Sequence, residues 1–321
     1  MRGNAWAWFD HIVATAPLRH ANPWRREDAG VRFAPDYDTL CRLLGVPALL
    51  QAASQSGVPA LALDVWVSYE LRRAGFEPDR IWPRPVAPRV LPREVVDFVN
   101  ALPARLRAEL TERISVRGTG GAPSANILGK NYVKQVDVGM SSWATGPELL
   151  VYTKRMDSSF GKNAANRVEE SYGDAKNLRS RHPQAALGFL YGLGATALET
   201  EAETARWLID LLGKLGRESD AYDAVALIIP HIPSAPDATS GEDPAGPLEA
   251  GATEAPVANP IDEDLSDDLD LTALPVVTLQ RGAVPAGLDP GVFFATLADL
   301  VLDRTPINFH REARARRALS V

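Results

Sequence analysis

Four side chains in the middle of this chain have the types and the order to do chemistry: Asp137, Lys154, Glu169 and Glu170. Carboxylate oxygens are what hard divalent cations bind, and an ammonium beside them can steady a phosphate or a nucleophilic water. Asp137 lies in VKQVDVGM, sixteen residues separate it from Lys154 at the end of ELLVYTK, and the glutamates follow on a polar segment containing NRVEES. Carboxylates from two elements could hold Mg2+, which would polarise a phosphodiester and lower the pKa of a bound water for in-line attack. Lys154 would orient that water or offset the charge building on phosphorus. Singly, a strand aspartate is usually a surface residue and a strand-ending lysine a solvated terminus; their combination is what points to chemistry. A shared site requires the tips of Asp137, Lys154 and one of the glutamates to fall within about 4–8 Å.

The elements that must position these groups read as short apolar, β-branched runs. NYVKQVDVG and ELLVYTK are expected to be strands joined across a Gly-Pro turn. Alternation in the second sets Glu148, Leu150, Tyr152 and Lys154 on one face and Leu149, Val151 and Thr153 on the other, the first face being the one to meet Asp137. A polar helix over roughly 161 to 180 comes next, then AALGFLYGLGA, whose nearly unbroken apolarity suits a buried central strand. ETEAETARWLIDLLGKLG is an amphipathic helix with Ala205, Leu208, Ile209 and Leu212 inward, and YDAVALIIP is another buried strand. This order predicts an α/β fold: a mixed central sheet flanked by helices.

Residues 1–115 read as a mostly helical N-terminal region suited to dimerisation or DNA clamping. In ALALDVWVSYELRRAGF, Leu61, Val65, Tyr69 and Leu71 fall near one face and Gly75 is a stop signal. Val95, Phe98, Val99, Leu102, Leu106, Leu110 and Ile114 recur at helical spacing across Pro103, which must kink or break the run. WPRPVAPRVLPR between them is a proline-punctuated extended connection, and RGTGGAPSAN (117–126) a loop that marks a boundary. The core is therefore expected over 116–232, followed by an acidic disordered linker at 233–270 and a strand-helix segment at 271–321 that packs back on it. In that last segment LTALPVVTLQRG reads as a strand, DPGVFFATLADLVLDR as a helix capped by Asp289 with Pro290 at its first position, and HREARARRAL as a basic tail.

At 321 residues, with 45% hydrophobic and 23% charged, the chain can bury a sizeable core. The single cysteine, Cys41, permits no internal disulfide, and no N-terminal stretch has the make-up of a leader, so a cytoplasmic protein without membrane attachment is expected. The net charge of −7 does not oppose binding to nucleic acid. Eleven acidic residues and no Lys or Arg lie in 233–270, and without them the rest of the chain is at +4. The five histidines have no metal-type spacing, no Gly-rich phosphate loop ends in Lys-Ser/Thr, and there is no Gly-x-Ser-x-Gly elbow. Zinc chemistry, an NTP-driven motor and an α/β-hydrolase are thereby disfavoured. Trp6, Trp8, Trp24, Trp66 and Trp82 are explained by core packing or a dimer surface.

Val136-Asp137 followed by Tyr152-Thr153-Lys154 resembles the motif of the PD-(D/E)XK nuclease superfamily, to which many type II restriction endonucleases belong. The proline of that motif is missing, and tyrosine stands in place of its second acid. A subgroup of restriction enzymes moves that acid, as a glutamate, onto the next helix, slightly nearer the lysine than the 15 and 16 positions that separate Glu169 and Glu170 from Lys154 here. The resemblance covers roughly residues 94 to 230. It implies a restriction-endonuclease-like core and a Mg2+-dependent endodeoxyribonuclease acting on double-stranded DNA. In that role Asp137 and Glu169 or Glu170 bind metal, Lys154 assists the nucleophile, Tyr152 occupies the acidic position and Glu148 is the fallback ligand. It further implies a homodimer, since two-fold related sites cut both strands, and a cognate methyltransferase as partner. The additional glutamate common in the superfamily has candidates in Glu109, Glu112 and Glu70, against a solvated helix face for each.

For the DNA itself, Arg155, Ser158, Ser159, Lys162, Asn163, Asn166 and Arg167 lie where the polar helix begins, with types suited to phosphates and base edges. An exposed, solubilising helix is the equal alternative, because Asp157, Glu169, Glu170 and Asp174 dilute the field. ARARR in the tail is a weaker candidate. Tyr152 in the acidic position keeps a rival open: a nuclease fold that has lost catalysis and serves as a DNA-binding or assembly subunit. A helical interaction protein is the third reading, required if the strands were helices.

Overall fold

Helices dominate the first third of the chain, as its 3.6-residue spacing predicts. The computed structural model describes residues 2–28, 30–53, 56–115, 125–158, 160–232 and 269–319. The expected loop at 117–126 lies outside the described residues up to 124, and the acidic linker up to 268. The chain opens with α1 (Arg2–Thr15), a hairpin of β1 (Trp24–Glu27) and β2 (Gly30–Phe33), α2 (Tyr37–Leu49) and α3 (Val58–Arg73). Asp36 caps α2 by accepting the Thr39 amide, and α3 stops just before Gly75, whose φ of +97° suits glycine. After β3 (Ile81–Trp82), the helical run splits at Pro103 into α4 (Arg93–Asn100) and α5 (Ala104–Ser115).

The segment NYVKQVDVG was expected to be one strand and is two. β4 (Ala125–Leu128) pairs with β5 (Val133–Val136) in a separate hairpin, whereas β6 (Val138–Ser142) pairs with β7 (Gly146–Met156). The break is at Asp137, whose carboxylate, not a neighbouring strand's backbone, accepts the Thr153 amide at 2.9 Å. The remaining elements are α6 (Phe160–Arg179), β8 (Ala186–Leu193), α7 (Ala197–Thr200), α8 (Ala202–Leu215), β9 (Ala224–Ile228), β10 (Pro230–His231), β11 (Thr278–Leu279), α9 (Pro290–Arg304) and α10 (Arg311–Ala318).

The protein is α/β, with a mixed five-stranded sheet in the order β3-β6-β7-β8-β9. β6 runs antiparallel to both of its neighbours, β3 and β7, and β7, β8 and β9 are parallel. Period-two alternation divides β7 as expected: Leu149 and Val151 join the core under α3 and α9, while Leu150 and Tyr152 join the core under α6 and α8. β8 is buried throughout, and Ala205, Leu208 and Leu212 of α8 turn inward with Ile209 half-buried beside them. Gly188 in β8 lets α9 approach, since a Cβ there would meet Leu297 and Phe293 at 2.7 and 2.9 Å. Residues of α1, α2, α3 and α9 share one buried cluster with this sheet face, and Trp24 and Trp66 belong to it. No helix among the described residues is long and apolar enough to cross a membrane.

Two expectations for the C-terminal segment are corrected. LTALPVVTLQRG contributes only Thr278–Leu279 to a two-residue pairing with β10, because Pro275 interrupts the run and 3-10 turns occupy its ends. The basic tail is the docked helix α10: Arg314 donates to the carbonyls of Leu302, Thr305 and Phe309, Arg316 to that of Arg73, and Arg317 pairs with Asp299. The guanidinium groups of ARARR are thus spent on holding α10 to the fold. The helix of DPGVFFATLADLVLDR forms as read, with Asp289 accepting the Gly291 amide at 2.7 Å and Pro290 in the first turn.

Candidate active site

Asp137 occupies the bend where β5 leaves the small hairpin and β6 enters the central sheet. Its Oδ2 takes the Thr153 N–H at 2.9 Å, and the Thr153 hydroxyl donates to Asp64 on α3. Residue 153 is therefore gripped by one carboxylate through its backbone and by another through its side chain, which fixes the strand just before Lys154. Lys154 is half-buried, and its positive charge acts on Asp137. Burial raises the Asp137 carboxyl above its ordinary range; Lys154, the Thr153 N–H and Lys134 pull it back only in part, and Asp174 pushes it further up.

Asp174 is the carboxylate that sequence reasoning missed. It lies on α6, only 5% exposed, accepting a hydrogen bond from the Tyr132 hydroxyl at 3.0 Å and an ion pair from Lys134 at 2.6 Å. Lys134 reaches Glu170 as well, at 3.3 Å. The available signal was helical spacing: Ser171, Asp174, Ala175 and Leu178 make one buried face, so Asp174 is an acid on the inner side of a polar helix. Tyr152 completes the group. It is 3% exposed, its ring meets that of Tyr222 edge-on at 6.4 Å, and its buried hydroxyl has no hydrogen-bond partner. Burial, then the neighbouring Tyr222, Asp174 and Asp137, raise its pKa, so the phenol stays protonated and can only donate or accept as a hydroxyl.

The proposed glutamate ligands fare differently. Glu170 reaches the site only through Lys134, from an exposed position. Glu169 points away, into a groove between α6 and α8 lined by Val168, Tyr172, Trp207 and Leu211. Glu148 is six residues back along β7, about 20 Å from Lys154 at the rise of an extended strand, and its carboxylate is committed to His310 at 2.8 Å and to the Thr145 hydroxyl. It cannot serve as the fallback ligand. Glu70 is a buried structural partner of Arg73 at 2.6 Å, and Glu109 and Glu112 sit on the exposed side of α5, Glu109 paired with Arg113. Among the described residues no three His, Cys, Asp or Glu side chains converge into a metal cage.

Of the residues read as DNA contacts, Ser158 and Asn166 are exposed. Arg155 is instead buried against Gly192 and paired with Asp157 at 2.9 Å, since the strand carries it inward one residue after Lys154. Arg167 is half-buried with its Nε enclosed and unpartnered. Lys162 and Asn163 lie on α6 with their side chains outside the described residues, and Ser159 lies outside them altogether.

No family model, curated protein or solved structure matched the chain in comparisons with known proteins.

Proposed function

We propose that the chain is a Mg2+-dependent endodeoxyribonuclease with a restriction-endonuclease-like core, in which Asp174 takes the place of the expected second acid. What supports this reading is that the charges of Asp137, at a strand bend, and Asp174, on α6, act on each other and on the buried, unpaired Tyr152 near the end of β7 that bears Lys154. The order α3, β3, β6, β7, α6, β8, with the first three strands antiparallel and the fourth parallel to the third, supports it.

The donor set suits Mg2+, which is commonly held by one or two carboxylates while water and substrate phosphate fill its other positions. Asp137 and Asp174 would hold the ion, and it would supply a polarised phosphate and an acidified water. The chain's own residues do the rest. The Thr153 amide orients the Asp137 carboxylate, Lys154 sets a positive charge beside it where a phosphate oxygen gains negative charge, and Tyr152 offers a hydroxyl to a water or a phosphate oxygen. Exposed Ser158 and Asn166 at the start of α6 are available to the duplex, and two copies related by a two-fold axis would address both strands.

The test is incubation of the purified protein with plasmid DNA of varied sequence and Mg2+. The expected result is a set of ordered fragments, with Lys154→Ala cutting about 10²–10³-fold more slowly, the size of effect that loss of one charge-stabilising group has in other active sites. DNA left whole with Mg2+ and with Mn2+ overturns the nuclease. DNA bound but uncut points to the rival reading, a nuclease fold kept as a DNA-binding subunit, which the engagement of Asp174 by Lys134 would then explain.

A further inference from the structure

The carboxylates of this site already have a cation, and it belongs to the chain. Lys134 carries its ammonium from β5 to Asp174 at 2.6 Å and to Glu170 at 3.3 Å, and its charge also acts on Asp137. Two acids thus share one ammonium at ion-pair distance, leaving negative charge that a divalent ion would neutralise better. A purely structural ion pair closes over its neighbours, yet here the hydroxyl of Tyr152, a side chain 3% exposed on which the charges of Asp174 and Asp137 act, is left without a partner. The pairing of Lys134 with Asp174 does not complete the site.

The surroundings allow the lysine to leave without unfolding anything. Its side chain is 23% exposed, so the ammonium has a path to water along a flexible stem. The backbone of its hairpin is pinned independently: Asn177 on α6 accepts the Asn131 amide at 2.8 Å, donates to the Tyr132 carbonyl at 3.1 Å and, through its own carbonyl, accepts the Lys130 amide at 2.9 Å. β4 and β5 can stay in register while one side chain rotates out.

We propose that Lys134 is an internal counter-ion that a divalent cation displaces from the Asp137–Asp174 pair, so that this lysine sets the metal affinity of the site. The proposal rests on the metal-dependent reading above. It makes metal entry a competition, and the expelled ammonium becomes free to meet a phosphate at the same surface.

Mn2+ titration by calorimetry tests it. Lys134→Met should bind Mn2+ about tenfold more tightly than the wild type, the consequence of removing a competing bound charge, and Asp174→Asn should lose that binding. Since Lys134→Met leaves Asp174 without its partner and could fold poorly, the wild-type chain supplies a second measurement. Acetylation of Lys134 by an amine reagent, followed by mass spectrometry, should accelerate several-fold on Mn2+ addition while exposed Lys130 reacts at an unchanged rate. A Lys134→Met protein that binds Mn2+ no more tightly, an unchanged Lys134 reactivity at saturating Mn2+, or no Mn2+ binding by either protein overturns the proposal. Displacement observed with DNA left uncut removes the nuclease and keeps the counter-ion; cleavage without displacement does the reverse.

Discussion

Asp137→Asn separates the chemistry of the candidate site from its stability. The amide has the size of the acid and keeps an oxygen for the Thr153 N–H, held at 2.9 Å in the wild type, so the bend between β5 and β6 should survive. Only the charge is lost. Burial raises the Asp137 carboxyl, and the attractive charges of Lys154 and Lys134 with the Thr153 N–H do not restore it. A carboxyl whose folded pKa is raised binds its proton more tightly when folded. Its contribution is therefore favourable at low pH, declines as pH rises from the unfolded value near 3.9, and has become a full penalty above the folded value. The neutral amide carries no such penalty. Asp137→Asn should therefore be more stable than the wild type at neutral pH by about 1 kcal/mol, within the range gained when a strained functional residue is relieved, while Mg2+-dependent cleavage is lost. Urea unfolding followed by tryptophan fluorescence reads this directly, since Trp24 and Trp66 are buried in the main core. The advantage should shrink on acidification and vanish below about pH 4, where both side chains are uncharged. An amide variant less stable than the wild type at neutrality, or an advantage that grows toward acid, would refute the reasoning.

Two further changes probe the frame around the site. Arg73→Met deprives Glu70 of a buried partner at 2.6 Å and frees the carbonyls of Leu18 and Ala34, so calorimetry should register a loss of about 3–5 kcal/mol, only partly recovered when Glu70→Met is added, because those carbonyls stay unpaired and the Asp36 amide loses its Glu70 acceptor. Gly129→Ala sets a Cβ 2.1 Å from the Asn177 amide nitrogen, a side chain that cannot step aside because it holds the hairpin tip. That overpacking should cost about 1–3 kcal/mol, with faster hydrogen exchange confined to β4, β5 and the facing turn of α6.

The fold was legible wherever burial and periodicity agree. β8 declared itself by unbroken apolarity because a central parallel strand is covered on both faces, and α8 by an inner stripe of Ala205, Leu208 and Leu212. Asp289 and Pro290 marked the start of α9 because capping is a local property of the chain. Non-local requirements left no such mark. Ile81–Trp82 is too short for any period to register, yet it forms the sheet's edge by pairing with Met140 and Gly139. The hairpin of β1 and β2, with arginines and a glutamate on exposed positions, has no apolar alternation to mark it and falls within the region read as mostly helical. HREARARRAL looked like a solvated basic tail because the carbonyls and the Asp299 carboxylate that hold it come from other parts of the chain.

The site divides along the same line. The nearness of Asp137 to the stretch leading into Lys154 follows from the hairpin: Val138 pairs with Val151, and the Asp137 carboxylate takes the Thr153 N–H. A carboxylate from α6 is under no such rule. Counting from Lys154 favours Glu169 and Glu170, whereas the helix decides by face, and one turn beyond Glu170 the chain passes against the sheet with Asp174 inward. Tyr152 then follows from the same geometry. With the charges of Asp174 and Asp137 both acting on residue 152, a third carboxylate at that point would add like charge to a buried site, whereas a protonated phenol places a hydroxyl there without the repulsion.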